Sequence, residues 1–187
     1  KLIKDNPLQE LESPRIKKAL PKYLTLEESL SLLNSVDGKF KERDYCIITL
    51  FLNCGLRLSE LVSLNLTDIR SNNTLTVTGK GNKERLVYLN DACRDALNNY
   101  LPIRREDKYK RANTNALFIS KQYKRISNKT VQWLVYKYLS LAGLDYKHYS
   151  THKLRHTAAT LMYQTGKVDV RVLKEILKKK KKKTTQI

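Results

Sequence analysis

Apolar residues recur at helical spacing over most of this chain, and one short stretch alternates instead. Thr25-Leu26-Glu27-Glu28 reads as a capping box, in which the Thr25 hydroxyl and the Glu28 carboxylate satisfy free amides at a helix start. The helix is expected to end near Ser35, ahead of a turn at Asp37-Gly38. A second helix covers residues 40–54, with Ile47, Leu50, Phe51 and Cys54 in phase, and Gly55 stops it. A short helix follows from Ser59 to Leu64. The β-branched run Thr74-Leu75-Thr76-Val77-Thr78 alternates, as does 85–89, and the turn at 79–82 makes the pair a hairpin. Helices resume at 91–100, with Pro102 marking the end, at 127–141, with Gly143 just beyond, and from Ser150 or Thr151 to Gln164. Residues 104–115 read as a charged loop and 116–120 as a short strand. Val168, Val170, Val172, Leu173, Ile176 and Leu177 form the last apolar pattern. Pro7, Pro14 and Pro21 among charged residues mark 1–22 as a linker entering a domain. The expected fold is therefore mainly α with a small antiparallel β-sheet, over residues 23–187.

A chain of 187 residues, 41% hydrophobic, can bury one sizeable core. No apolar run approaches the roughly 20 residues of a membrane span. The N-terminal residues lead into no apolar stretch of the secretory type, so a leader is not expected. Cys46, Cys54 and Cys93 are odd in number and include no C-x-x-C pair, which points to free thiols in a reducing cytosol. Charge changes the picture most. The chain carries +19, and setting aside the six lysines 178–183 still leaves +13. Such a surface gathers polyanions and releases counterions on meeting phosphate backbones. Charge alone favours a nucleic-acid partner, and it also fits a merely soluble basic protein or a ribosomal-type, RNA-binding one.

The candidate chemistry lies on three segments. On the helix from His152, Leu154, Ala158, Leu161 and Met162 form the apolar stripe, while His152 and Arg155 share another face and can converge on one ligand. His152 and His156 also have the spacing of a metal pair, but Lys153 and Arg155 would repel a divalent ion, so no metal is expected. Gly55-Leu56-Arg57 places an arginine where one helix stops and the next starts, and Glu60, three residues on, can hold its guanidinium. Lys80 lies between two glycines in the hairpin turn, and the G-x-x-x-x-G-K-[ST] phosphate loop is missing. Singly, each is also what a solvated polar face provides.

Together, Gly55-Leu56-Arg57-Leu58-Ser59-Glu60-Leu61, then Gly79-Lys80-Gly81-Asn82-Lys83-Glu84-Arg85, then Thr151-His152-Lys153-Leu154-Arg155-His156-Thr157 resemble the catalytic domain of tyrosine recombinases, the phage-integrase family, and its Xer-like branch above all. The resemblance implies that family's fold and a cofactor-free reaction on double-stranded DNA. In that reaction a tyrosine attacks a phosphodiester to give a 3′-phosphotyrosyl link. It implies catalytic roles for Arg57, Lys80, His152 and Arg155, support from Glu60, and phosphate contacts from Lys83, Arg85 and Lys153. It further implies a homo-oligomer on DNA, a tetrameric synapse in the family, acting in the bacterial cytoplasm with no membrane. A helical domain would precede residues 1–22.

The chain departs from the family pattern at its end. A Gly-His or Gly-Trp pair should follow the last apolar helix, yet 178–183 are all lysine and Lys179 takes the histidine or tryptophan position. Thr184-Thr185-Gln186-Ile187 matches the family, whose tyrosine would be residue 188. The polypeptide 1–187 is therefore expected to bind DNA without forming a covalent adduct. A recombinase in truncated form, a non-catalytic duplex-binding module or decoy, and a topoisomerase-like relaxing enzyme stay open on the sequence.

Overall fold

The computed structural model describes residues 23–79, 81–106 and 114–164. The expected linker 1–22, Lys80, residues 107–113 of the charged loop, the last apolar pattern, Lys179 and the lysine run lie outside them. Six α-helices occur among the described residues: α1 (Leu26–Asn34), α2 (Lys41–Cys54), α3 (Leu58–Ser63), α4 (Asp91–Arg104), α5 (Asn128–Leu141) and α6 (Thr151–Gln164). Three strands, β1 (Ile69–Arg70), β2 (Thr74–Thr78) and β3 (Glu84–Tyr88), form one antiparallel sheet in the order β1-β2-β3.

Helix α2 is the hub because its apolar residues leave no polar stripe: Cys46, Ile47, Ile48, Leu50 and Phe51 are all fully buried. It packs against α4, α6 and α1. Two charged residues of its first turn, Arg43 and Asp44, are buried as well. Arg43 pairs with Asp44 at 2.7 Å, and the Tyr138 hydroxyl lies 3.0 Å from the other Asp44 oxygen, joining α5 to α2. Local signals set the boundaries. The Thr25–Glu28 capping box opens α1, Asn90 and Ser127 cap α4 and α5, and Gly55 ends α2 at a left-handed φ of 56°. The entering chain is tied down where the Leu24 amide donates to the Thr157 hydroxyl at 3.0 Å.

The sheet covers the helices with one face. Leu75 and Val77 are fully buried, while Leu86 and Tyr88 on the opposite face of β3 are exposed. Val77 pairs with Arg85 and Leu75 with Val87, so Arg85 and Val87 share the inner face. The short β1 has no counterpart in the sequence expectation; two residues are too few to alternate visibly.

Two expectations are corrected. Helix α4 passes through Pro102 to Arg104. Pro102 forgoes one backbone hydrogen bond, but Arg104, buried, donates to the Ala116 and Thr114 carbonyls and holds the extra turn in place. Residues 116–120 form isolated bridges, Asn65 with Ala116 and Ile119 with Arg125, rather than a strand. Ala116, Leu117, Phe118 and Ile119 are all buried, and a turn with Tyr123 at φ 60° folds the segment back before a ladder can extend.

Candidate active site

Glu60 is the third residue of α3, and its side chain is 2% exposed. Four short hydrogen bonds reach its carboxylate. Oε1 accepts from Arg57 at 2.6 Å and from Arg85 at 2.8 Å. Oε2 accepts the Arg57 backbone amide at 2.8 Å and the second Arg85 nitrogen at 2.8 Å. Arg155, reaching across from α6, stands 3.7 Å from Oε2 and donates instead to the Gly55 carbonyl at 2.5 Å. Gly55 carries that carbonyl because α2 ends there in the left-handed conformation only glycine adopts freely.

Three guanidinium groups thus surround one carboxylate, so this group of four side chains carries two more positive charges than negative. Burial opposes ionisation of Glu60, but the hydrogen bonds from Arg85 and Arg57 outweigh it and pull its pKa down from 4.5 to about 2. Burial, then the neighbouring Arg57, pull Arg155 down to about 10, against the attraction of Glu60. Glu60 is therefore ionised and Arg155 protonated at neutral pH. Arg57 is the open side of the cluster, with 41% of its side chain exposed against 5% for Arg155. An anion entering past Arg57 would meet excess positive charge already fixed in place, which is the arrangement that stabilises a transition state richer in negative charge than its ground state.

The structure brings Arg57, Glu60 and Arg155 together, through contacts 100 residues apart in the chain. His152 stands exposed one turn before Arg155, with its Nε2 3.0 Å from Nε2 of His156 and the rings edge to face. One imidazole must donate and the other accept, so this pair can hold and pass a single proton. On α6, Leu154 and Ala158 are fully buried, and Leu161 and Met162 half-buried. Lys83 is exposed in the hairpin turn and Lys153 is half-buried on α6. Lys80 itself lies outside the described residues, but its neighbour Gly79 sits beside the carboxylate. A Cβ built there would be 3.6 Å from Glu60 Oε1. Among the described residues no group of three His, Cys, Asp or Glu side chains is placed to hold a metal ion.

Arg85 has a partner that the sequence reading did not assign it. Expected at a phosphate, it is bonded to Glu60 through both terminal nitrogens. Strand phase carried the signal: Arg85 falls in step with Val87 and opposite Val77, on the face turned to the core.

No described helix is long and apolar enough to cross a membrane. Over its whole length the chain is 60% identical to tyrosine recombinase XerC of Caldanaerobacter subterraneus subsp. tengcongensis, of which it spans 52%. Its fold matches the XerA recombinase crystal structure with a TM-score of 0.76 at 27% identity, covering 87% of this chain and 57% of that one. It also matches XerH site-specific recombinase bound to its difH substrate in a pre-cleavage complex, with a TM-score of 0.72 at 27% identity, covering 85% and 47%. The chain thus spans about half the length of the relatives it matches. A model of the phage integrase family matches residues 22–187, and the chain belongs to that family.

Proposed function

We propose that this chain is the catalytic domain of a Xer-like site-specific DNA recombinase, cutting and rejoining duplex DNA through a 3′-phosphotyrosyl intermediate. The observation that supports the reading most directly is the cluster of three arginines on one buried carboxylate, with two charges in excess. Arg57 and Arg155 neutralise the non-bridging oxygens of the scissile phosphate, the task a divalent ion performs in many nucleases. The tyrosine oxygen bonds to phosphorus and the bond from phosphorus to the 5′-oxygen breaks. The phenolic proton passes to His152, and Lys80 gives a proton to the departing 5′-oxygen. The covalent link retains the energy of the broken bond, so rejoining to a new strand uses no nucleotide. Lys83 and Lys153 contact the DNA backbone. Two copies on each of two sites make a tetrameric synapse in the cytoplasm.

A nicked duplex that traps the intermediate tests this. The full-length gene product should form a covalent adduct, and Arg155→Ala should form none while keeping duplex affinity within about tenfold. Cleavage of the ordinary phosphodiester by Arg155→Ala would overturn the assignment. The second reading, a non-catalytic duplex-binding module, draws on Lys179 and the lysine run where the family has Gly-His. A full-length product that binds the duplex and never forms an adduct would establish it.

A further inference from the structure

We propose that Arg85 is a positioning residue that occupies Glu60 and so prevents this carboxylate from neutralising Arg155. The inference rests on the reading of Arg57 and Arg155 as the phosphate-binding pair. An ionised carboxylate offers about four acceptor positions. In Glu60 all four are taken at short distance, two by Arg57 and two by Arg85. Arg155 is left at 3.7 Å, an ion pair beyond hydrogen-bond length, with its Nη1 turned to the Gly55 carbonyl. The bidentate contact is what does this: it fills one position on each oxygen and fixes the plane of the carboxylate.

Arg85 is well suited to the task and poorly suited to meeting DNA. It projects from the inner face of β3 opposite the fully buried Val77, and its side chain is 24% exposed. Its Nε is buried with no hydrogen-bond partner, a cost accepted for the bidentate grip on Glu60. Among the described residues it makes the only side-chain hydrogen bonds from β3 to a helix, so it also sets the sheet on α3. Removing Arg85 vacates one acceptor position on each Glu60 oxygen, and Oε2 already stands 3.7 Å from Arg155. Glu60 then closes on Arg155, and the excess charge of the cluster falls from two to one.

The test uses the full-length gene product with Arg85→Met, which keeps the stem length, and Arg85→Lys, which keeps the charge without the fork. The substrates are nicked duplexes with either an ordinary phosphodiester or a methylphosphonate at the scissile position. The methylphosphonate lacks the non-bridging charge that the arginines must meet. Arg85→Met should cleave the phosphodiester at least about tenfold more slowly, the scale of one charge-assisted hydrogen bond. It should recover most of that loss on the methylphosphonate, as should Arg155→Ala. Arg85→Lys should fall between. Duplex affinity should stay within about threefold. Equal slowing on both substrates would mean that Arg85 merely supports the fold, and unchanged rates would mean that it does nothing to the site; either result overturns the inference while leaving the proposed function intact. No adduct from the unsubstituted protein would sink that function instead. Calorimetry with inorganic phosphate then decides on Arg85, because Arg85→Met should weaken phosphate binding at least about tenfold and unchanged binding would overturn the inference. If Arg85→Met does not fold, Arg85→Lys carries both comparisons.

Discussion

Replacing Glu60 by glutamine isolates the carboxylate charge at nearly constant shape. Glu60 is buried, and its pKa falls from 4.5 to about 2 because hydrogen bonds from Arg85 and Arg57 outweigh the opposing effect of burial. At about 1.4 kcal/mol per pK unit, this drop makes the ionised carboxylate worth about 3 kcal/mol to the folded state at neutral pH. Because the folded-state pKa is the lower one, that stability is complete above pH 4.5 and disappears as the pH falls towards about 2. Glutamine also leaves Arg57, Arg85 and Arg155 facing one another without an opposing charge, so Glu60→Gln should lose about 3–5 kcal/mol at pH 7. Urea unfolding at a series of pH values measures both effects. The natural chain should lose about 3 kcal/mol between pH 4.5 and pH 2 beyond what Glu60→Gln loses. Adding Arg85→Met to Glu60→Gln should recover part of the loss, since one of the unopposed cations is then gone. A Glu60→Gln variant within about 0.5 kcal/mol of the natural chain at pH 7 would refute the reasoning, because a carboxylate holding four donors cannot be that dispensable.

Two further outcomes follow from surface charge and from the buried thiols. Duplex affinity should fall linearly on a logarithmic salt scale, and Lys83→Ala and Lys153→Ala should each reduce that slope by about one; an unchanged slope removes the residue from the DNA-binding set. Cys46, Cys54 and Cys93 are all buried, Cys54 and Cys93 with sulfurs 3.7 Å apart. Burial raises the Cys46 pKa, and the contact with Cys93 together with burial raises that of Cys54. A thiol-specific disulfide reagent should therefore react slowly with the native protein and rapidly with all three thiols after unfolding. A thiol titrating within seconds in the native state at neutral pH would contradict this burial.

Much of the fold could be read from the chain because its signals are local. The capping box at Thr25, the left-handed stop at Gly55, the apolar helix around Phe51 and the hairpin at 74–89 each depend on residues within one or two turns of one another. Where the expectation failed, the deciding contact was distant. Pro102 forbids one hydrogen bond locally, yet α4 continues because Arg104 finds carbonyls on a segment ten to twelve residues away. The apolar run at 116–119 has the composition of a strand, but it packs as a buried strap between α3 and the turn that follows.

The site divides along the same line. The order of motifs nominated Arg57, Glu60, His152 and Arg155 as the candidate site, because they are set by spacing on single helices and by residue type. How their charges are shared was decided only by the tertiary structure. Glu60 has about four acceptor positions, and several cations could have claimed them. Sequence spacing favours Arg57, three residues away, and is silent on the rest. Strand register brings Arg85 from 25 residues away into the other two positions, and the packing of α6 against α2 leaves Arg155 on the Gly55 carbonyl. Periodicity tells each residue which face it occupies, and it cannot tell a buried charge which of several partners reaches it first.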